Sequence, residues 1–325
     1  MSTAAIPGAP LPVRTPGSRA RGRHRRPERP EVPVGAPTLV LAVPAEATPE
    51  TVAVVDELVS VIRGEQPGIE VVAGWLRSAA STEAATDAAD RAEGEAGEPV
   101  EYSPVTDRPR PTVEELLVAA AEAGLPAPVL VPLLPGPHAY VGHLQQLAAQ
   151  AGAVVTDPLG PHPLLAEAVH VRLSEAGLAR ADRARLFAIA TAADGVVLTT
   201  AGGEDAAAAA GITGVLLAAR LAVPVVAAAL DVPGSVAAAV EHLRATGAQR
   251  PALAPLVIGP EVSAELLLAA TEETGCPSAA PVGAYPTVGQ LAASTYLAVL
   301  PALLPPPLEE EPEQAVEQAE AAEQA

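Results

Sequence analysis

The feature that most constrains this chain is an internal repeat. Between Val129 and Pro163 an apolar run ends in a Pro/Gly turn, a helix-like segment follows, and a second apolar run ends in another turn. Pro132, Gly136, Pro137, Gly152, Pro158, Gly160 and Pro163 return 123 residues later as Pro255, Gly259, Pro260, Gly275, Pro281, Gly283 and Pro286. Leu133, Leu134 and Leu144 return as Leu256, Val257 and Leu267. Proline and glycine punctuate backbone structure, so their recurrence around matched apolar positions copies a fold plan. Solenoid repeats are far shorter, which makes this a duplicated domain. Two turn residues change between the copies: His138 becomes Glu261, and His162 becomes Tyr285.

Around this repeat the chain alternates strand and helix. Thr38–Val43 is a short apolar run expected to be a buried strand. Thr48 is placed to cap a helix opened by Pro49, with apolar residues at helical spacing up to Ile62. Ile69–Leu76 reads as the second strand. Thr112 and Glu115 form a capping box ahead of a helix ended by Gly124. In the second copy Asp194–Thr200 matches the first strand, and Val223–Leu230 matches Ile69–Leu76 at a shift of 154. Ser235–Thr246 then matches the Thr112 helix at a shift of 123. The difference is close to the length of residues 79–110, an acidic Ala/Glu/Gly/Pro segment present only in the first copy. The linker from Leu164 to Ala193 reads as mostly helical.

Four strands with intervening helices per copy imply parallel sheets with right-handed crossovers. The expected fold class is therefore α/β: two duplicated lobes, each a parallel sheet with helices on both faces. The expected organisation is a disordered Arg/Pro-rich tail (1–36), lobe 1 (37–165, with a disordered acidic insertion 79–110), lobe 2 (166–304) and a disordered acidic tail (305–325). In such sheets ligands bind beyond the carboxyl ends of the strands. The positions to examine are Pro44–Thr48, Arg77, His138 and His162 in lobe 1. In lobe 2 they are Ala201–Asp205, Asp231, Glu261 and Tyr285.

A formal charge of −20 argues against general nucleic-acid binding. A lone cysteine, Cys276, excludes an intramolecular disulfide and a Cys-rich metal site, and is expected to be a buried thiol. No apolar run approaches the ~20 residues that span a bilayer. With no credible export signal, a cytoplasmic location is expected. Gly202-Gly203 after a strand suggests a phosphate turn, but Glu204 and Asp205 beside it would repel phosphate. No nucleophile elbow of the Gly-x-Ser-x-Gly type is present.

The order of elements, the duplication and the segment VPLLPGPHAYVGHL resemble the CbiX/SirB group, the sirohydrochlorin cobalt- or ferrochelatases (class II tetrapyrrole chelatases). Gly136-Pro137-His138 matches the Gly-x-His that follows an apolar strand in that family, and Gly160–Val169 resembles its later turn and helix. The likeness spans roughly Thr38 to Leu300, apart from the insertion. It implies insertion of a divalent metal substrate, Co2+ or Fe2+, into a tetrapyrrole, with two histidines and a carboxylate binding metal and accepting pyrrole protons. Imidazole suits both roles.

This chain departs from that pattern. Pro44 stands where the family has its first histidine, and Ala201 at the same place in the second copy. Arg77 stands where a carboxylate often follows the second strand, while the second copy supplies Asp231. The Asp-Ile-Pro-like segment is Gly142-His143-Leu144. His138 is then the candidate base and principal ligand, or else a polar turn residue left from a lost function; Asp231 and Glu261, at the strand ends of lobe 2, either face it across the cleft to complete a metal set or are solvated carboxylates. Of the other histidines, His143, His170 and His242 are expected on solvated helix faces and His162 in a structural role. Two functions follow: a chelatase-like lyase, or a non-catalytic relative that keeps the fold to bind a tetrapyrrole, a metal or a protein. A monomer is expected, because the duplication supplies within one chain what smaller relatives achieve by dimerising.

Overall fold

The computed structural model describes residues 32–76, 110–179 and 193–304, all within one compact unit. Residues 1–31, residues 77–109 with Arg77 and the acidic segment, the linker residues 180–192 and residues 305–325 lie outside the described residues.

Lobe 1 runs β1 (Leu39–Val43), α1 (Pro49–Glu65), β2 (Val71–Trp75), α2 (Val113–Glu122), β3 (Val129–Pro132), α3 (Ala139–Ala151), β4 (Val154–Val155) and α4 (Pro163–Glu175). Lobe 2 runs β5 (Gly195–Thr200), α5 (Gly203–Leu221), β6 (Val225–Ala229), α6 (Ser235–Ala245), β7 (Pro251–Pro255), α7 (Ala264–Thr274) and α8 (Pro286–Leu303). The local chemistry acts where the sequence placed it. Thr48 and Thr112 each form a reciprocal capping box, Thr112 accepting from Glu115 N at 3.2 Å while its own N–H donates to Glu115 Oε2 at 2.9 Å. Gly152 and Gly275, one repeat apart, close α3 and α7 in the same left-handed conformation (φ 65° and 64°), where a side chain would be strained.

Both sheets are parallel, with strand orders β2-β1-β3-β4 and β6-β5-β7. Leu39 lies opposite Val71 and Val129, and Val196 lies opposite Val225 and Ala252, so the register repeats as well. Four strands were expected in each sheet, and among the described residues the second has three. The counterparts of Val154-Val155 are Pro277-Ser278, and Pro277 has no N–H to give a ladder. What survives is a single bridge between Leu253 and Ser278. Ala279 N still donates to Leu253 O at 3.0 Å, as Thr156 N donates to Leu130 O at 2.9 Å in lobe 1.

Alternation along each strand sorts its residues between two faces. Val40, Ala42 and Leu130 face α2 and α3, whereas Val197 and Leu253 face α6 and α7. The opposite faces, with Leu39, Leu41 and Val131 from one sheet and Val196, Leu198 and Ala254 from the other, join a single core. That shared core is built by an exchange. The last helix of lobe 2, α8, packs on α1 and β3 of lobe 1, and the last helix of lobe 1, α4, packs on α5 and β7 of lobe 2. The four helices form a row, α1–α8–α4–α5. Tyr296 of α8, 1% exposed, donates to Pro37 O at 2.6 Å, immediately before β1. Arg172 of α4 donates through Nε and Nη2 to Val282 O in lobe 2, at 3.1 and 2.8 Å. The expected boundary at residues 165/166 thus falls inside α4, the helix that ties lobe 1 to lobe 2.

His170 was expected on a solvated face and is buried instead, 7% exposed, because α4 is covered by both lobes. His143 and His242 are exposed, and Cys276 is buried.

Candidate functional site at the strand ends

His138 follows the β3 turn and is the N-cap of α3. Its Nδ1 accepts from Tyr140 N at 3.1 Å. His162, a turn later, caps α4 in the same way, with Leu164 N donating to Nδ1 at 3.1 Å. An imidazole nitrogen that accepts a hydrogen bond carries no proton, so the neutral ring holds its proton on Nε2. This bears on chemistry. To bind a metal or take up a proton, His138 has to surrender its cap or first move its Nε2 proton elsewhere. Its half-buried position lowers its pKa by desolvation, which the negative charge of Asp231 partly offsets.

Asp231 follows β6 and faces the β5 turn. Its carboxylate accepts from Gly202 N at 2.9 Å and from Gly203 N at 3.0 and 3.1 Å. These amides open α5, so Asp231 fills the anion-binding N-terminus of that helix. The phosphate turn suggested by Gly202-Gly203 is therefore already occupied by a side chain of the same protein. Gly202 is also where the lobes touch. A Cβ there would collide with the Pro137 carbonyl oxygen and lie 3.3 Å from His138 Cδ2. The His138 turn of lobe 1 is thus packed directly on the Asp231-filled turn of lobe 2.

Glu261 takes the place of His138 in lobe 2 but turns back on its own loop. Its carboxylate accepts from Ile258 N, and from Gly259 N at 2.8 Å. The residue is half-buried with its carboxylate head turned inward, and desolvation outweighs those donors, pushing the carboxyl up to about 7. His138 and Asp231 are electrostatically coupled. Among the described residues, however, no three of His, Cys, Asp and Glu gather into a group able to hold a metal ion. The set of His138, Asp231 and Glu261 is not assembled, because each carboxylate is spent on nearby backbone N–H groups. Pro44 and Ala201, at the first-strand positions, are buried and offer no side-chain donor.

The repeat also exposes a difference between the lobes. Beside Asp231 a groove of about 260 Å³ opens between the β6 turn, α6 and α7, lined by Leu230, Pro233, Val236, Leu266 and Ala270. The matching place in lobe 1 is closed to about 10 Å³ by Trp75, Tyr140, His143 and Leu147. Trp75 and Tyr140 correspond to Ala229 and Ser263, so lobe 1 fills with aromatic rings what lobe 2 leaves open. Trp75 Nε1 and the Tyr140 hydroxyl are buried there without a hydrogen-bond partner among the described residues. Burial first, and Glu114 second, hold the Tyr140 phenol well above its usual range.

These features define the molecule as a bilobed α/β protein with two parallel sheets. No family model matches the chain, and no protein of curated function matches its sequence. Solved structures do share its architecture. The sirohydrochlorin chelatase SirB from Bacillus subtilis subspecies spizizenii, solved with cobalt, superposes with a TM-score of 0.53 at 12% identity, covering 82% of this chain and 96% of that one. SirB from Bacillus subtilis with Fe3+ gives 0.54 at 13% identity, covering 81% and 96%. CbiX, the terminal enzyme for siroheme biosynthesis in denitrifying bacteria, gives 0.50 at 16% identity, covering 81% and 99%. The fold is the one these chelatases have. No helix among the described residues is long and apolar enough to cross a membrane.

Proposed function

We propose that this chain is a non-inserting relative of the chelatases, which binds a tetrapyrrole of the sirohydrochlorin class at the strand-end turns of its two lobes. The observation that carries this reading is the commitment of the donors. Pro44 and Ala201 supply none, Asp231 is held by Gly202 and Gly203, Glu261 is held by its own loop, and His138 caps α3 through Nδ1. An inserting enzyme needs donors free to take a metal from water and release it to a macrocycle. What remains available is a neutral imidazole with its proton on Nε2, suited to donating a hydrogen bond to a carboxylate substituent of a macrocycle. The groove beside Asp231 is below the ~300–1,000 Å³ of typical ligand pockets, so it would seat only one edge of such a ligand.

A second reading, an active chelatase acting on Co2+ or Fe2+ as substrate, is favoured by the electrostatic coupling of His138 with Asp231 across the lobes. A spectroscopic titration separates the two. The protein is mixed with sirohydrochlorin, then with Co2+ or Fe2+, alongside His138→Asn. The proposal expects a shift of the macrocycle absorbance on binding and metal insertion no faster than in protein-free buffer. Insertion above that control, lost in His138→Asn, establishes the enzyme instead. No binding at all removes the tetrapyrrole from either reading.

A further inference from the structure

The duplication supplies an internal control for surface chemistry, and one helix fails it. Helices α1 and α5 occupy matching ends of the central row. The outward face of α1 carries Asp56, Glu57, Ser60 and Arg63, as a solvated helix does. The outward face of α5 is apolar. Ala208, Ile212, Val215, Leu216 and Ala219 follow at i, i+4, i+7, i+8 and i+11 and lie on one side, opposite the buried Ala210, Thr213 and Leu217. Ile212 is 57% exposed, Val215 70% and Leu216 39%. The fold does not require this, since α1 meets the same architectural demand with charges.

The ends of the stripe identify its occupant. Glu204 and Asp205 sit in the first turn of α5 and Arg220 in the last. Ile212 lies midway between Glu204 and Arg220. If a second copy of α5 lies antiparallel across the first, with the twofold axis at Ile212, each apolar stripe covers the other. Asp205 is close to the middle of the stripe at one end and Arg220 flanks it on the same side at the other, so Arg220 of one copy reaches Asp205 of its partner. The pairing is self-complementary in shape and in charge, as a twofold interface demands. Arg220 is free enough to make it: its contact with Glu167 is long, 3.9 Å, and exposed.

We infer that the outward face of α5 is a homodimer interface, formed by antiparallel packing of α5 on α5 about Ile212 and fixed in register by two Arg220–Asp205 ion pairs. It differs from the monomer expected from the duplication. A pair of helices roughly 28 Å long lies at the small end of specific interfaces, so the dimer is reversible and dilution dissociates it.

Sedimentation velocity of the full chain over a range of concentrations at physiological salt tests the inference. The proposal expects the mass to rise with concentration from 32.6 kDa towards twice that value. Ile212→Glu, an exposed substitution, is expected to abolish the rise. Asp205→Arg alone and Arg220→Glu alone are each expected to weaken association, and an equimolar mixture of the two is expected to restore it, because each copy then offers the charge the other lacks. A monomer at every concentration overturns the inference. So does a dimer that survives Ile212→Glu, or a mixture that associates no better than the single variants.

Discussion

The double role of His138 makes a quantitative prediction. His138→Ala removes the acceptor that satisfies Tyr140 N at the start of α3, and loss of an N-cap acceptor costs about 1 kcal/mol (roughly 0.5–2). For a chain of this size that is a melting shift of about 1.5 °C. His138→Asn places a carbonyl oxygen where Nδ1 stands and keeps the cap, so it is expected to retain most of the stability while losing the imidazole. A pH dependence then separates the three proteins. The pKa of His138 is lowered in the folded state, so the unfolded chain binds the proton more readily. Stability from the neutral ring is fully present above about pH 6.5, the unfolded value, and is lost as pH falls below it. The protonated ring also cannot accept from Tyr140 N. Urea denaturation at pH 8 and pH 5 measures this: the gap between wild type and His138→Ala narrows in acid, and the gap between His138→Asn and His138→Ala does not. An Asn variant as unstable as the Ala variant, or a wild-type gap unchanged between the two pH values, would falsify the assignment of Nδ1 as the cap.

Other perturbations are equally direct. Gly202→Ala places a Cβ against the Pro137 carbonyl at φ 112° and is expected to cost more than ~2 kcal/mol, whereas Gly203→Ala, at φ 75° in open space, costs only about 1–2; equal losses by denaturant titration would refute the lobe contact. Tyr296→Phe leaves the Pro37 carbonyl unpaired and is expected to cost about 1–3 kcal/mol; an unchanged midpoint would show that the hydroxyl does not tie α8 to lobe 1. The Glu261 carboxyl, raised to about 7 in the folded state, contributes stability that is complete below its unfolded value and lost as pH rises through about 7. The stability of wild type relative to Glu261→Gln should therefore decline over that window, and a flat difference would place the carboxylate in water.

Much of the fold was legible because its signals are local. Thr48, Thr112, Gly152 and Gly275 act within one turn of where they stand, and buried parallel strands read as uninterrupted apolar runs. Pro277 removed the last strand of lobe 2 by a rule the sequence also contains, but the repeat pattern outweighed it. The helix exchange was not legible: periodicity shows that α4 and α8 have apolar faces and does not say which sheet covers them. The same limit hid the burial of His170. The partners of the candidate site residues were hidden for a related reason. Spacing placed His138, Asp231 and Glu261 at matching strand ends, but whether a carboxylate faces a ligand or its own backbone depends on turn geometry. Gly202 and Asp231 lie 29 residues apart, and no local pattern joins them. Histidine is also an unusual cap, so its N-capping role gave no signal.

The exchange of α4 and α8 has a consequence for synthesis. As the chain leaves the ribosome, sheet β2-β1-β3-β4 is complete once residue 155 has emerged, but one of the helices covering its inner face is not made until residues 286–303. The first half of the polypeptide therefore waits, with an apolar face open, for nearly the whole of the second. A gene that arose by copying one unit has become a single obligate folding unit. Severed between its halves, this chain should give two fragments that are insoluble apart and recover the fold only when made together.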